Sequence, residues 1–339
     1  VTSSVLDIRT RTRRRRAAVV GTVMVALLAV ATMSLSLGDY AMSLPEVWRT
    51  LAGGGDRAQS YVIFQVRMPR LAMAILVGAA LGAAGALLQS LLRNPLASPD
   101  LLGISGGAGV AAVFTLLVLG IGGPLLAVAA FAGGIAVAGF LLLAGRHRSD
   151  GGYRLILAGV GVAFLCVAIT NFLMVRAQVE LAQAALVWLT GSLASTAWWN
   201  VLTVAVVLVV ALPAVLACAR WLPIVQMGAP TAASLGVRAS TVKVVVVLTA
   251  VLLTAVTCAF AGPISFVALC APAIARPLLG HGAIGVGTSA AVGAALLAAA
   301  DLAAQFAIPG YAMPVGVVTG AVGAVFLLWL LATSKGRQL

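Results

Sequence analysis

Few residues of this 339-residue chain could do chemistry, and their spacing excludes most reactions. Cys166, Cys218, Cys258 and Cys270 stand singly inside apolar runs. Without paired spacing they read as small buried hydrophobes, not as metal ligands or disulfides. His147 and His281 fall in expected loops far from any second ligand, so neither a metal centre nor a histidine-activated nucleophile is expected. Neither Lys243 nor Lys335 follows a glycine. The phosphate-binding G-x-x-x-x-G-K-[ST] loop is therefore missing, and the chain shows no means of hydrolysing ATP itself. Asp301 is the one acid well inside an expected helix, toward its outer half, and no basic partner is evident for it; a proton relay normally needs more. An enzyme is not expected. Elimination leaves transport energised by another chain, with an ion-coupled transporter built on Asp301 or a non-transporting membrane scaffold as rivals.

The elements that would position these residues are set by the solvent they meet. The chain is 62% hydrophobic and 9% charged, against about 25% charged in ordinary globular domains. Residues 17–37, 71–92, 101–145, 155–175, 181–219, 244–275 and 302–334 each lack Asp, Glu, Lys and Arg. A membrane span needs about 20 apolar residues, and within lipid a helix satisfies its own backbone groups. The alternating ten-residue strands of a barrel are not found. The fold class is therefore an all-α polytopic membrane protein, with spans near 17–37, 62–90, 101–120, 124–144, 155–175, 200–219, 244–261, 263–277, 284–306 and 313–333. A basic tail over 1–16 and a short tail over 334–339 flank this 17–333 body. The basic and apolar start could also be a signal peptide, but the apolar run continues to Leu37 with no clear cleavage site before Gly38.

Ten spans put both termini on one side. With that side cytoplasmic, only Arg49, Arg57, Arg67, Arg70 and Arg176 of the 21 basic residues lie outside, as the positive-inside bias requires. An eleventh crossing over 181–199 would move the six basic residues from Arg220 onward outside and erase the bias. Trp188, Trp198 and Trp199 then suit an outer aromatic belt. The net charge of +13 follows from this topology, and nucleic acid is not an expected partner.

The stretch "RNPLASPDLLGISGGAGV", residues 93–110, interrupts the apolar chain at the inner surface. Ser98 could N-cap the third span, with Pro99 in its first position and Asp100 at the positive dipole end. Gly78, Gly82 and Gly85 upstream, and "GISGGAG" downstream, allow helices to approach closely. A tight turn with helix packing, or a constriction at the mouth of a path lined by Asn94 and Leu96, both fit.

"RMPRLAMAILVGAALGAAGALLQSLLRNPLASPDLLGISGGAG" (67–109), "YRLILAGVGVA" (153–163), "VWLTGSL" (187–193), "FAGPISFVALCAPAIAR" (260–276) and "ADLAAQFAIPGYAMPVGVVTGAVGAVFLLWLL" (300–331) carry a resemblance. Together they resemble the iron–siderophore and vitamin B12 permeases of type II ABC importers, and most nearly the second permease subunit of ferric-enterobactin-type systems. The resemblance covers nearly everything from residue 60 onward. It implies a bacterial plasma-membrane importer subunit beside a second, distinct permease, two cytoplasmic ABC ATPases that hold ATP and Mg, and an extracytoplasmic siderophore-binding protein. No cofactor is implied in this chain.

By position, the resemblance implies an inner gate at Asn94, Leu96, Gly152 and Tyr153. It implies docking of the binding protein at Arg67 and Arg70; the alternative is two arginines snorkelling to headgroups. A coupling loop over 221–243 would contact the ATPases through a short helix at 230–235 ended by Gly236, using Thr231, Ala232, Ser234, Leu235 and Gly236. Gln305 stands where some relatives carry a third arginine. Ala229 and Pro230 lack the acid usual there, Ala233 stands near a position that is often basic, and Ala273 replaces the usual histidine. The choice among siderophore, vitamin B12 and haem stays open.

Overall fold

The computed structural model describes residues 2–144, 151–280, 284–308 and 310–334. In chain order the helices are α1 Thr2–Ser36, α2 Leu44–Leu51, α3 Arg57–Tyr61, α4 Met68–Leu92, α5 Ile104–Leu117, α6 Pro124–Ala144 and α7 Gly151–Val175. There follow α8 Val179–Thr190, α9 Trp198–Gln226, α10 Ala229–Ser234, α11 Ala239–Ala261, α12 Val267–Leu279, α13 Val286–Phe306 and α14 Val315–Ser334. A π-turn, Val62–Arg67, leads into α4, and a 3-10 turn, Asp100–Leu102, precedes α5. Among the described residues seven helical stretches are long and apolar enough to span a bilayer, and four apolar helices are shorter.

α4 and α11 form the centre. The side chains of Met73, Val77, Leu87 and Leu88 on α4, and Val246 and Ala250 on α11, are buried. Small residues set the spacing. A Cβ on Gly78 would collide with the Gly293 carbonyl of α13, one on Gly82 with the Ser289 carbonyl, and one on Gly85 with the Ala268 carbonyl of α12. Lipid tails are as apolar as leucine, so helices in a bilayer associate through such close backbone packing rather than through hydrophobic burial. By contrast α7 presents Phe164, Leu165, Phe172 and Val175 outward.

Several helix boundaries differ from those expected. The third span does not begin at a Ser98 cap. Gly103 adopts φ +74° and separates the 3-10 turn from α5, which starts at Ile104. Asp100 thus accepts from the Ser105 hydroxyl at 2.5 Å instead of facing a helix end directly. The basic segment before the first span is helical and continuous with it in α1. The 221–243 loop is shorter than expected, because α9 runs to Gln226 and α11 starts at Ala239. Pro213 and Pro223 are accommodated inside α9, as neighbouring groups in a bundle permit. No single helix runs through 181–199, which is divided between the twelve-residue α8, a turn and the first two residues of α9.

Candidate functional site

The inner turn follows the C-terminus of α4. Arg93 ends that helix in the left-handed region at φ 52°, a conformation uncommon for a residue other than glycine. The Asn94 side-chain oxygen accepts from Leu96 N at 2.9 Å, and Ala97 N donates to the Asn94 carbonyl at 3.1 Å. This is an Asx-type turn, which the proline between them favours. Leu96 is exposed while Ala97, Ser98 and Pro99 are buried, so the turn is rooted on one side and presents Leu96 on the other. Gly152 and Tyr153 lie in the first turn of α7, where only the backbone is described. His147 and His281 lie outside the described residues.

Three side chains tie this turn to its neighbours. The Arg93 guanidinium donates to the Gln226 carbonyl at the end of α9. Gln226 Nε2 in return donates to the Ser90 carbonyl of α4 at 2.8 Å. Arg276 on α12 donates to the Ser90 hydroxyl at 2.9 Å and the Ala86 carbonyl at 3.1 Å. Sequence reasoning did not single out Ser90 or Gln226. Polar groups inside apolar helices were the available signal, since such groups must find partners.

Two residues beyond Gln226, Gly228 at φ +110° starts α10. The helix closes on Leu235 N to Thr231 O at 3.2 Å, Gly236 N to Ala233 O at 3.0 Å and Val237 N to Ala232 O at 2.8 Å. Gly236 at φ +77° supplies the left-handed residue such an ending needs. Ala232 is buried, whereas Thr231, Ser234, Leu235 and Gly236 are exposed. The expected short helix is therefore present, shifted by one residue, with Leu235 59% exposed at its end.

At the opposite end of α4 the two arginines singled out by sequence are not free cations. Arg67 is 8% exposed, and its guanidinium donates to the Leu35 carbonyl at 2.5 Å and the Tyr40 carbonyl at 2.6 Å. It thereby satisfies the frayed end of α1 and fixes the link to α2. Arg70 grips Asp301 in a fork, Nε to Oδ2 at 2.9 Å and NH2 to Oδ1 at 2.9 Å. Gln305 Nε2 adds a third donor to Asp301 Oδ2 at 2.9 Å. Asp301 is 2% exposed, and the Arg70 side chain 19%. The expectation that Asp301 lacks a basic partner is thus corrected: helix packing brings together residues 231 positions apart. Among the described residues no group of three or more His, Cys, Asp or Glu side chains could hold a metal.

Residues 26–333 match the FecCD transport family. The ferric enterobactin transport system permease protein FepG of Escherichia coli is 38% identical over 314 residues, covering 92% of this chain and 95% of that protein. The Fe(3+)-citrate import system permease protein YfmE of Bacillus subtilis is 35% identical, with 97% and 99% covered. The hemin transport system permease protein HmuU of Yersinia pestis is 30% identical, with 94% and 96% covered. A solved metal-chelate type ABC transporter in an inward-facing conformation superposes with a TM-score of 0.84 at 25% identity, covering 94% of this chain and 99% of that one.

Proposed function

The chain belongs to the FecCD transport family, and from that premise we propose that it is the permease subunit of an ATP-driven importer for an iron–siderophore complex in a bacterial plasma membrane. That it is a multi-pass membrane transport permease follows from the family and the apolar helices. The cargo rests on one observation above others: the ferric enterobactin permease is 38% identical to the chain, against 30% for the hemin permease over a similar length. A haem cargo is the second reading, favoured by the hemin permease among the relatives.

In this reading the chain crosses the membrane ten times with both termini cytoplasmic, and a second, distinct permease subunit completes the path. Two ABC ATPases, carrying ATP and Mg, seat against α10 through the exposed Thr231, Ser234, Leu235 and Gly236, while Ala232, expected among these contacts from the sequence, is buried and roots the helix instead. Asn94, Leu96, Gly152 and Tyr153 form the inner gate. A siderophore-binding protein docks on the outer face at Arg70, whose side chain keeps 19% of its surface exposed; Arg67, expected beside it from the sequence, is buried against the Leu35 and Tyr40 carbonyls and shapes that face from beneath. The latch between Gln226 and Ser90 gives motion of α10 a short route to the gate turn.

Uptake of ferric siderophores by cells lacking the gene is the direct test. Loss of uptake for one siderophore class, restored by the gene, is expected; unchanged uptake of every siderophore with lost haem uptake favours the second reading. Docking is tested by comparing Arg70→Asp with the swap Arg70→Asp/Asp301→Arg. If the outer cation matters in its place, both lose binding-protein association. Restoration by the swap would limit Arg70 to its internal pair.

A further inference from the structure

A groove of about 580 Å³ opens between α4, α9 and the start of α13, within the size range of pockets that hold small ligands. Its wall is hydrocarbon, including Ala79 and Ala83 of α4 and Leu212, Leu216 and Ala219 of α9. Arg16 is the charged residue in its lining, and no carboxylate accompanies it. The neighbouring arginine is already committed: Arg15 donates from Nε to the Leu278 carbonyl at 2.8 Å and from NH2 to the Pro277 carbonyl at 3.1 Å, at the end of α12. Arg16 is exposed, and no hydrogen bond or ion pair joins it to the described residues. Gly285, Val286 and Gly287 complete the same rim. There α13 starts without a side-chain cap, so its first N–H groups add positive character beside Arg16. A Cβ on Gly287 would meet nothing within 4 Å, which leaves this rim open.

We propose that the groove binds one anionic phospholipid from the leaflet at the basic end of α1, with an acyl chain lying along α4 and α9 and the phosphate on Arg16. The occupant follows from the surroundings. An apolar groove in membrane-spanning helices faces hydrocarbon, and water would find few partners among alanine and leucine side chains. A lone cation at its mouth selects an anionic headgroup over a zwitterionic one, as basic pockets between spanning helices do. Arg220, between the lining residues Ala219 and Pro223 in sequence, is exposed and adds charge to the same end of α9. The proposal does not depend on the cargo.

The test uses the full chain, purified in mild detergent with the subunits that accompany it and stripped of lipid. It is titrated separately with phosphatidylglycerol, phosphatidylcholine and inorganic phosphate, and read by native mass spectrometry and thermal unfolding. One retained phosphatidylglycerol per chain and a raised Tm are expected, with neither effect from phosphatidylcholine or phosphate. Arg16→Gln should weaken phosphatidylglycerol binding roughly fivefold to tenfold, Arg16→Lys should restore it, and Ala219→Trp should displace the chain while leaving Arg16 intact. Equal retention of both lipids, undiminished retention by Arg16→Gln and Ala219→Trp, or a Tm shift reproduced by inorganic phosphate would overturn the proposal. If Arg16→Gln does not fold, the Arg16→Lys and Ala219→Trp pair decides the matter.

Discussion

Asp301 shows how a charge inside an apolar helix is held. Its carboxylate receives the forked Arg70 guanidinium and the Gln305 amide, and a buried ion is retained only with such partners. Breaking a buried pair from one side costs about 3–5 kcal/mol, whereas replacing both members with apolar groups is often nearly neutral. Asp301→Ala should therefore lower the Tm of the purified chain markedly, and Arg70→Leu/Asp301→Leu should recover most of the loss. A double variant as unstable as the single one would mean that the pair is not the source of the stability. Gln226 makes a different kind of bond, one that crosses from α9 to α4. A neutral hydrogen bond is worth about 1 kcal/mol, or roughly fivefold in an equilibrium. Gln226→Leu should leave ATP hydrolysis by the reconstituted importer nearly intact while reducing substrate carried per ATP several-fold. An unchanged ratio of uptake to phosphate release would remove this latch from coupling.

At the scale of elements, glycines decide how closely α4 approaches its neighbours. Gly85→Val places its Cβ against the Ala268 carbonyl, a backbone atom that cannot rotate away. Overpacking of this kind costs about 1–3 kcal/mol, so α4 and α12 should separate and the chain should unfold at lower temperature. Gly139→Ala, where a Cβ meets nothing, should instead gain up to about 1 kcal/mol from helix propensity. Equal Tm changes for both variants would refute the packing argument. These small-residue repeats were legible in the sequence, as were most spans, because hydrophobic runs and Gly-Pro breaks are local signals. The third span's start was not. Ser98-Pro99-Asp100 carries a plausible cap, but Gly103 takes a left-handed conformation and restarts the helix. The end of α9 was also hidden, since Arg220 closes the charge-free run at 219 whereas the helix continues through Pro223 to Gln226. The partners of Arg67, Arg70, Ser90 and Gln226 come from distant parts of the chain, and residue type alone does not specify such pairs.

For the whole molecule, orientation decides whether α10 can receive work from outside the chain. In the proposed ten-span topology the basic residues concentrate on the side that holds 1–16 and 227–238, which the positive-inside bias would assign to the cytoplasm. The same side carries α10 and, through Gln226, the turn at Asn94 and Leu96; the Arg70–Asp301 pair lies at the other end of α4. In the proposed reading free energy reaches the chain across a surface, and the exposed Leu235 is the apolar anchor α10 offers. Leu235→Asp replaces that anchor with a solvated charge while Ala232, which roots the helix, stays buried. The variant should fold with an unchanged Tm, lose co-purifying ATPase about tenfold or more as interface anchors do, and carry no substrate. Normal ATPase retention by Leu235→Asp, or cysteine labelling of residues 229–235 from the exterior of intact cells, would refute the proposed contact of α10 with the ATPases and, with it, any drive from α10 to the turn at Asn94 and Leu96.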